Sequence, residues 1–197
     1  MNLPNLLTLS RILLSPVFIT LFAIENIYCR YVAFAVFVIA SLTDLVDGWL
    51  ARRAGVVTGF GKFMDPLADK ILTSTALIAL LTVRLSFVYG WMVMAIVGRE
   101  ILITGLRAVA AYRGLVIPPS QAAKAKTVFQ MGFVILSILY VLVRMTRERF
   151  GVTLSFAGDP RAETAMATIL TVTTALTIGT GLHYLLANRT FIRRVLR

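Results

Sequence analysis

The sequence has few residues that could cross-link the chain or charge the surface of a soluble protein. Its 197 residues include one cysteine, which excludes an internal disulfide, and only 9 Asp and Glu residues. Charged residues make up 15% of the chain, whereas a typical soluble domain has about 25%. Hydrophobic residues make up 58%. This composition is not typical of a soluble globular protein and predicts an integral membrane protein.

The apolar residues lie in long continuous blocks rather than in alternation, which favours membrane-spanning helices over the strands of a barrel. We expect one all-α domain over residues 1–197, with a short interfacial segment over residues 1–6. Six transmembrane helices follow it. The predicted spans are Leu6–Ile24, Tyr31–Arg52, Gly61–Val83, Trp91–Tyr112, Ala122–Val143 and Glu163–Leu186.

The basic residues are unevenly distributed over the ends of these spans. Six spans place both termini on one side of the membrane, and most of the 20 Lys and Arg residues fall on that side. Because Lys and Arg are enriched in cytoplasmic segments, we expect cytoplasmic termini. The orientation of the protein in the membrane and a phosphorylated substrate together explain the net charge of +11. We therefore expect no nucleic-acid partner. The compact size and the lack of a recognisable transit peptide favour a bacterial inner membrane.

Four aspartates, Asp44, Asp47, Asp65 and Asp69, lie between two long uncharged runs. A carboxylate beside hydrocarbon is costly unless it is paired, hydrated or bound to a cation. Asp44 and Asp47 are three positions apart, and Asp65 and Asp69 four, so each pair shares one helix face. We predict two antiparallel helices whose adjoining ends form a cytoplasmic site for two Mg²⁺ or Mn²⁺ ions, which prefer oxygen ligands.

The residues from Asp44 to Asp69 form the pattern Asp-x2-Asp-Gly-x2-Ala-Arg-x8-Gly-x3-Asp-x3-Asp. Its eight fixed positions are Asp44, Asp47, Gly48, Ala51, Arg52, Gly61, Asp65 and Asp69. Each fixed residue occurs by chance about one time in ten to twenty, so a match at all eight positions exceeds coincidence. In this pattern the chain resembles the CDP-alcohol phosphotransferases, whose six-helix membrane architecture covers the whole chain.

The resemblance implies a role for each motif residue. The first three aspartates, Asp44, Asp47 and Asp65, are expected to bind metal. Asp69 is expected to take the proton from the attacking hydroxyl and to lie near or on the second metal. The remaining motif positions are expected to bind the CDP group, and they are Gly48, Ala51, Arg52 and Gly61. The family is commonly dimeric, so a homodimer is expected as well.

Three weaker features resemble the family members that use glycerol 3-phosphate as the acceptor alcohol. These features are NLPNLLTLSRI at residues 2–12, Gly98-Arg99-Glu100, and Lys124-Ala-Lys126-Thr127. The resemblance implies a phosphatidyltransferase of phospholipid biosynthesis. It would transfer the phosphatidyl group of CDP-diacylglycerol to glycerol 3-phosphate, giving phosphatidylglycerol phosphate and CMP.

Glycerol 3-phosphate is a dianion and needs a basic pocket on the cytoplasmic side. The candidate residues are Thr8, Arg11, Arg107, Arg113, Lys124 and Lys126. Lys124 and Lys126 point about 200° apart around a helix, so at most one is expected to reach the substrate. Arg99 and Glu100, inside the fourth span, fit either a structural ion pair or a part of the site.

Other functions stay open at this point. The core motif does not exclude a same-family enzyme that uses inositol phosphate, serine or phosphatidylglycerol as acceptor. A Mg²⁺-dependent membrane prenyltransferase also uses aspartate-rich helices, but its motifs lie on more distant helices. A cation transporter would carry its carboxylates near the middle of the bilayer, whereas these four cluster at predicted helix ends.

Overall fold

The computed structural model describes the backbone of residues 3–54, 59–112, 121–151 and 158–189. Within these ranges the side chains of residues 3–8, 44–54, 59–67, 69, 112, 122 and 124 are not described. The described part of the chain contains helices and no strand, which confirms the all-α prediction. The helices are α1 Leu3–Ala23, α2 Ile27–Ala54, α3 Gly59–Leu81, α4 Gly90–Tyr112, α5 Gln121–Phe150 and α6 Pro160–Ala187.

Local sequence signals set several of the helix ends. Asn26 caps α2, because its side-chain oxygen accepts hydrogen bonds from the N–H groups of Tyr28, at 2.8 Å, and Cys29, at 3.4 Å. Gly151 follows α5 with a φ of +67°, and its N–H bonds the carbonyl of Arg147 at 3.0 Å. A glycine in this conformation is a common helix end, since it has no Cβ to clash. Pro160 begins α6, where proline is favoured.

The fifth helix is longer than predicted. The sequence placed its end at Val143, but α5 continues to Phe150. In this extension Arg144 Nε donates a hydrogen bond to Glu148 Oε1 at 3.0 Å, four positions later. Such pairs stabilise a helix, so a polar segment that was predicted as a connection forms helix instead.

Two helical segments of the described chain are long and apolar enough to cross a membrane, namely Ala125–Phe150 and Pro160–Ala187. Shorter apolar stretches occupy Leu9–Ala23, Ile27–Thr43 and Lys70–Leu81. In α6, threonine hydroxyls donate to carbonyls four positions earlier, so that these polar groups are satisfied inside an apolar helix. Six transmembrane spans stay a prediction.

The chain divides into two compact units. Unit 1 contains Met1–Leu85 and Ser137–Asp159, and therefore α1, α2, α3 and the second half of α5. Unit 2 contains Ser86–Leu136 and Pro160–Arg197, and therefore α4, the first half of α5 and α6. The single domain over residues 1–197 stays a prediction.

In unit 1, α1 packs against both α2 and α3. The ring of Phe18 lies 5.5 Å from the rings of Phe22 and Phe37, and all three side chains are buried. Arg30, at the start of α2, lies over the Phe22 ring and donates from Nε to the Phe22 carbonyl at 3.1 Å. Aromatic packing and this cation contact fix α1 against α2, the helix that carries the first aspartate pair.

In unit 2, α4 packs against α6. Gly181 is buried on α6, and a Cβ added there would lie 3.0 Å from Cγ of Arg99 on α4. The Ser86 hydroxyl donates to Glu163 in the first turn of α6 at 2.6 Å. The small residue at position 181 leaves the space that the Arg99 side chain needs where it crosses α6.

Candidate active site

The four aspartates of the motif lie on two consecutive helices. Asp44 and Asp47 belong to the last part of α2, and Asp65 and Asp69 to the first half of α3. The helices α2 and α3 contact each other within unit 1. This agrees with the helix pattern predicted from the sequence. The four side chains are not described, so their roles as metal ligands and general base stay predictions.

The surroundings of the motif are partly visible in α3. Ala68, next to Asp69, is fully buried, and Lys70 is half-buried. The positions predicted to bind the CDP group lie in the same two helices, although their side chains are not described. They are Gly48, Ala51 and Arg52 on α2, and Gly61 on α3.

The donor set of the motif fits a hard divalent cation. Carboxylate oxygens are the ligands that Mg²⁺ and Mn²⁺ prefer. Four of the 9 acidic residues of the chain fall within residues 44–69, on two helices in contact. Among the side chains that the structure describes, which exclude these four, no group of three or more His, Cys, Asp or Glu residues could hold a metal ion.

Arg11, which the sequence assigned to the acceptor phosphate, lies in unit 1, and the structure describes its side chain. It is 1% exposed and lies on α1, the helix that packs against α2 and α3. Ser15 donates from its hydroxyl to the Arg11 carbonyl at 2.8 Å. Thr8 lies on the same helix, three positions earlier, and its side chain is not described. Burial to this extent excludes a solvated surface role for Arg11.

Arg107 lies on α4 and contacts α6. Its Cζ atom is 5.3 Å from the centroid of the Tyr184 ring, a cation–π distance. Arg107 Nε and the Tyr184 hydroxyl are both excluded from solvent, and neither has a hydrogen-bond partner among the described residues. The sequence did not predict this use of Tyr184, since nothing in the spacing relates α4 to α6.

Lys126 lies on α5, and its ammonium donates to Glu100 Oε1 on α4. Both side chains are 1% exposed. Arg99 Nη1 is 3.4 Å from the same carboxylate oxygen, and Arg99 Nη2 donates to the Thr180 hydroxyl on α6 at 3.0 Å. Arg99 and Glu100 therefore form an ion pair, as one of the two interpretations of the sequence held. Lys126 joins them in a cluster of three charges, a contact that the sequence had not predicted.

The side-chain contacts of two other acceptor candidates fall outside the described part of the chain. The Lys124 side chain is not described, and Arg113 lies outside the described residues. The signal that could have revealed the Glu100 cluster was its location, because ionisable residues inside apolar helices usually pair with one another.

A family model described as CDP-alcohol phosphatidyltransferase matches residues 1–179. Among curated proteins, a Bacillus subtilis protein is 45% identical over 138 residues, which is 64% of this chain and 70% of the relative. A Rickettsia typhi protein is 37% identical over 190 residues, 96% of this chain and 98% of the relative. A Pseudomonas fluorescens protein is 35% identical over 190 residues, which is 95% of this chain and 90% of the relative. All three are named CDP-diacylglycerol–glycerol-3-phosphate 3-phosphatidyltransferase.

The family match includes the whole aspartate motif, and the similarity to two of the relatives extends over nearly the full chain. Proteins of this family are membrane-embedded and generally use divalent metal ions. Both properties agree with the apolar helices and with the oxygen donors of the motif. The resemblance that the eight motif residues indicated is confirmed. The chain belongs to the CDP-alcohol phosphatidyltransferase family.

Proposed function

We propose that this protein transfers the phosphatidyl group of CDP-diacylglycerol to glycerol 3-phosphate, giving phosphatidylglycerol phosphate and CMP. One observation carries the proposal: all eight motif residues lie on two consecutive, contacting helices of a chain that matches relatives of this name over nearly its full length. The enzyme is a phosphatidyltransferase of phospholipid biosynthesis.

In this reaction the acceptor hydroxyl attacks the phosphorus that carries the diacylglycerol group, and CMP leaves. Phosphoryl transfer needs charge neutralisation and alignment more than covalent help. Asp44, Asp47 and Asp65 would hold divalent ions, with Asp69 near or on the second. When bound, two such ions, Mg²⁺ or Mn²⁺, would supply positive charge that stabilises the diphosphate as CMP leaves.

Asp69 takes the proton of the acceptor hydroxyl. A carboxylate is a weak base for an alcohol, but it needs to accept the proton only as the new P–O bond forms.

The CDP group is bound by the non-acidic residues of the motif. Gly48 and Ala51, which lie on α2 close to Asp47, leave space for cytosine and ribose. Gly61 permits a close approach to the backbone of α3. Arg52 pairs with the diphosphate through two parallel N–H groups.

The acceptor phosphate requires cations and hydrogen-bond donors. The candidates are Thr8, Arg11, Arg107, Arg113, Lys124 and Lys126. Arg107 is the best supported of the described candidates, since its Nε and the neighbouring Tyr184 hydroxyl have no partner among the described residues and could bond phosphate oxygens.

The protein acts in a membrane with its motif at the cytoplasmic face, where a lipid substrate and a water-soluble substrate can both reach it. The excess of Lys and Arg on the side of the termini supports this orientation. We also propose that this membrane is a bacterial inner membrane and that the protein forms a homodimer.

The test is CMP release from CDP-diacylglycerol by the purified protein in detergent with Mg²⁺. Glycerol 3-phosphate, serine, inositol phosphate and phosphatidylglycerol are offered one at a time. Release only with glycerol 3-phosphate is expected. Release with another alcohol would keep the mechanism and replace the acceptor. No release with any of them, from folded protein, would favour prenyl transfer or cation transport.

A further inference from the structure

A cavity of about 330 Å³ lies within unit 1, at the end of the helices that is remote from the aspartate motif. Its lining comes from the connection between α1 and α2, the start of α2, Val83 just after α3, and the second half of α5. Asp44, the first motif aspartate, lies about 20 Å further along α2 than Arg30, at a rise of about 1.5 Å per residue. The cavity is therefore separate from the candidate active site.

Arg30 supplies a buried cation to this cavity, since the residue is only 5% exposed. Its Nε donates to the Phe22 carbonyl at 3.1 Å, and its Nη1 donates to the Met145 thioether at 2.9 Å. Both partners are neutral, and a thioether is a weak acceptor. Among the described residues no carboxylate forms an ion pair with Arg30. A buried guanidinium without an anion is costly, so the cavity favours an anionic ligand.

Three further charged residues line the cavity, namely Glu25, Arg144 and Glu148. Arg144 and Glu148 pair with each other at 3.0 Å, and they are 50% and 62% exposed, so their charges offset one another beside solvent. Glu25 is exposed and forms no ion pair with any residue that the structure describes. The cavity thus offers a ligand one buried cation, Arg30, and one exposed anion, Glu25.

A phosphate ester that also carries an ammonium group complements these two charges. A guanidinium is a planar fork of N–H donors, which matches the oxygens of a phosphate. An ammonium on the same ligand would neutralise the carboxylate of Glu25 at the exposed side of the cavity. A ligand with a phosphate alone would instead bring its negative charge near that carboxylate and bind less well.

The location of the cavity suits the head group of a phospholipid. The distribution of Lys and Arg predicts that the start of α2 lies on the non-cytoplasmic side of the membrane. Tyr28 and Tyr31 at the start of α2 are 63% and 42% exposed. Tyrosines are enriched at the level of the head groups, where their rings meet both lipid and water. A cavity at this end of α2 is therefore within reach of a lipid head group.

We propose that the cavity between Arg30 and Glu25 binds a phosphate ester that carries an ammonium group, as in the head group of an ethanolamine phospholipid. Arg30 holds the phosphate inside the cavity, and Glu25 holds the ammonium at its exposed side. The site is distinct from the aspartate motif, and its test measures binding without turnover. The result therefore does not depend on the proposed reaction.

The test titrates the purified protein in detergent with phosphatidylethanolamine or phosphatidylglycerol and counts the bound lipids by native mass spectrometry. Only the first lipid carries an ammonium. Arg30→Gln should weaken the binding of both lipids at least about tenfold, the loss expected for a charge-assisted hydrogen bond. Glu25→Gln should weaken the binding of phosphatidylethanolamine about two- to fivefold, as expected for one exposed ion pair. It should not weaken the binding of phosphatidylglycerol.

Each variant is compared with the wild type for the same lipid, so lipid bound elsewhere on the protein cancels. The matched control is Arg149→Gln, which removes an exposed arginine of α5 that does not line the cavity. This control should bind both lipids like the wild type. A loss as large as that of Arg30→Gln would mean a general effect of surface charge and would overturn the proposal. Equal effects of Glu25→Gln on the two lipids would overturn it as well.

Glu25 is exposed, so Glu25→Gln decides the question even if Arg30→Gln does not fold. A last comparison separates a lipid from a soluble ligand, because O-phosphoethanolamine has the same two charged groups and no acyl chains. If this compound raises the unfolding temperature of the wild type but not that of Glu25→Gln, the site binds the soluble form. If neither the lipid nor the soluble compound distinguishes the wild type from Glu25→Gln, the proposal is wrong.

Discussion

The guanidinium of Arg107 on α4 lies over the ring of Tyr184 on α6, with Cζ 5.3 Å from the ring centroid. An aromatic face attracts a cation without cancelling its charge, as a carboxylate would. The arginine is therefore fixed in direction and still able to bind an anion. Its Nε atom and the Tyr184 hydroxyl, both shielded from solvent, have no partner among the described residues.

Replacing Arg107 by alanine should raise the Michaelis constant for glycerol 3-phosphate by about tenfold or more, since a charge-assisted hydrogen bond to phosphate is lost. The constant for CDP-diacylglycerol should change much less. CMP release with each substrate varied in turn measures both. Arg189→Ala, which removes an exposed arginine after α6, serves as the control and should change neither. Equal effects of Arg107→Ala on the two constants would make Arg107 structural.

Asp69→Asn should lower CMP release by at least about a hundredfold, the lower range of what a general base contributes. Binding of CDP-diacylglycerol should be largely retained, because an amide of the same size leaves the packing around α3 intact. Thermal stabilisation of the variant by added CDP-diacylglycerol measures the binding. Wild-type turnover in this variant would remove the general-base role from Asp69.

The helices themselves could largely be predicted from the sequence, because their apolar blocks are long and continuous. The end of α5 was predicted wrongly, at Val143 instead of Phe150. Composition marks Arg144 and Glu148 as polar and therefore suggests a connection, but the two are four positions apart and pair along the helix. Polarity alone therefore does not mark the end of a helix, because polar side chains four positions apart can pair along it.

The candidate site, like the fold, could be predicted from the sequence only in part. The aspartate motif could be found because its residues are close in sequence and their spacing is informative on its own. The contact between Glu100 and Lys126 joins positions 26 residues apart, and it exists only because α4 and α5 bring them together. No spacing rule relates Glu100 on α4 to Lys126 on α5, so the sequence left the role of Glu100 open and named Lys126 only as a candidate for the acceptor phosphate.

The first aspartate pair should control the metal dependence of the reaction. Asp44→Asn or Asp47→Asn removes a charged oxygen ligand, so more Mg²⁺ should be needed for half-maximal CMP release. Binding of CDP-diacylglycerol in the presence of Mg²⁺ should weaken as well, in contrast to Asp69→Asn. Titration of the purified variants with Mg²⁺ after treatment with a chelator gives the comparison. Asp159→Asn, outside the motif, should titrate like the wild type, and identical curves for all variants would contradict the metal site.

Two glycines two positions apart in α6 allow a direct test of how Arg99 packs. A Cβ at Gly179 would meet nothing within 4 Å, whereas one at Gly181 would lie 3.0 Å from Arg99 Cγ. Gly179→Ala should therefore gain roughly 0.5–1 kcal/mol from the better helix former. Gly181→Ala should gain less or lose stability, because the stem of Arg99 must move and strain its 3.0 Å bond to Thr180.

Thermal unfolding of the two alanine variants in detergent measures this difference. In a chain of this size about 1 kcal/mol corresponds to roughly 2–4 °C in the midpoint, so Gly179→Ala should melt measurably above Gly181→Ala. Both substitutions add the same methyl group to the same helix, so intrinsic helix preference cancels in the comparison. What is left is the space beside Arg99. Equal midpoints would mean that Arg99 does not cross α6 at Gly181, and the arginine would then not be fixed between Glu100 and Thr180.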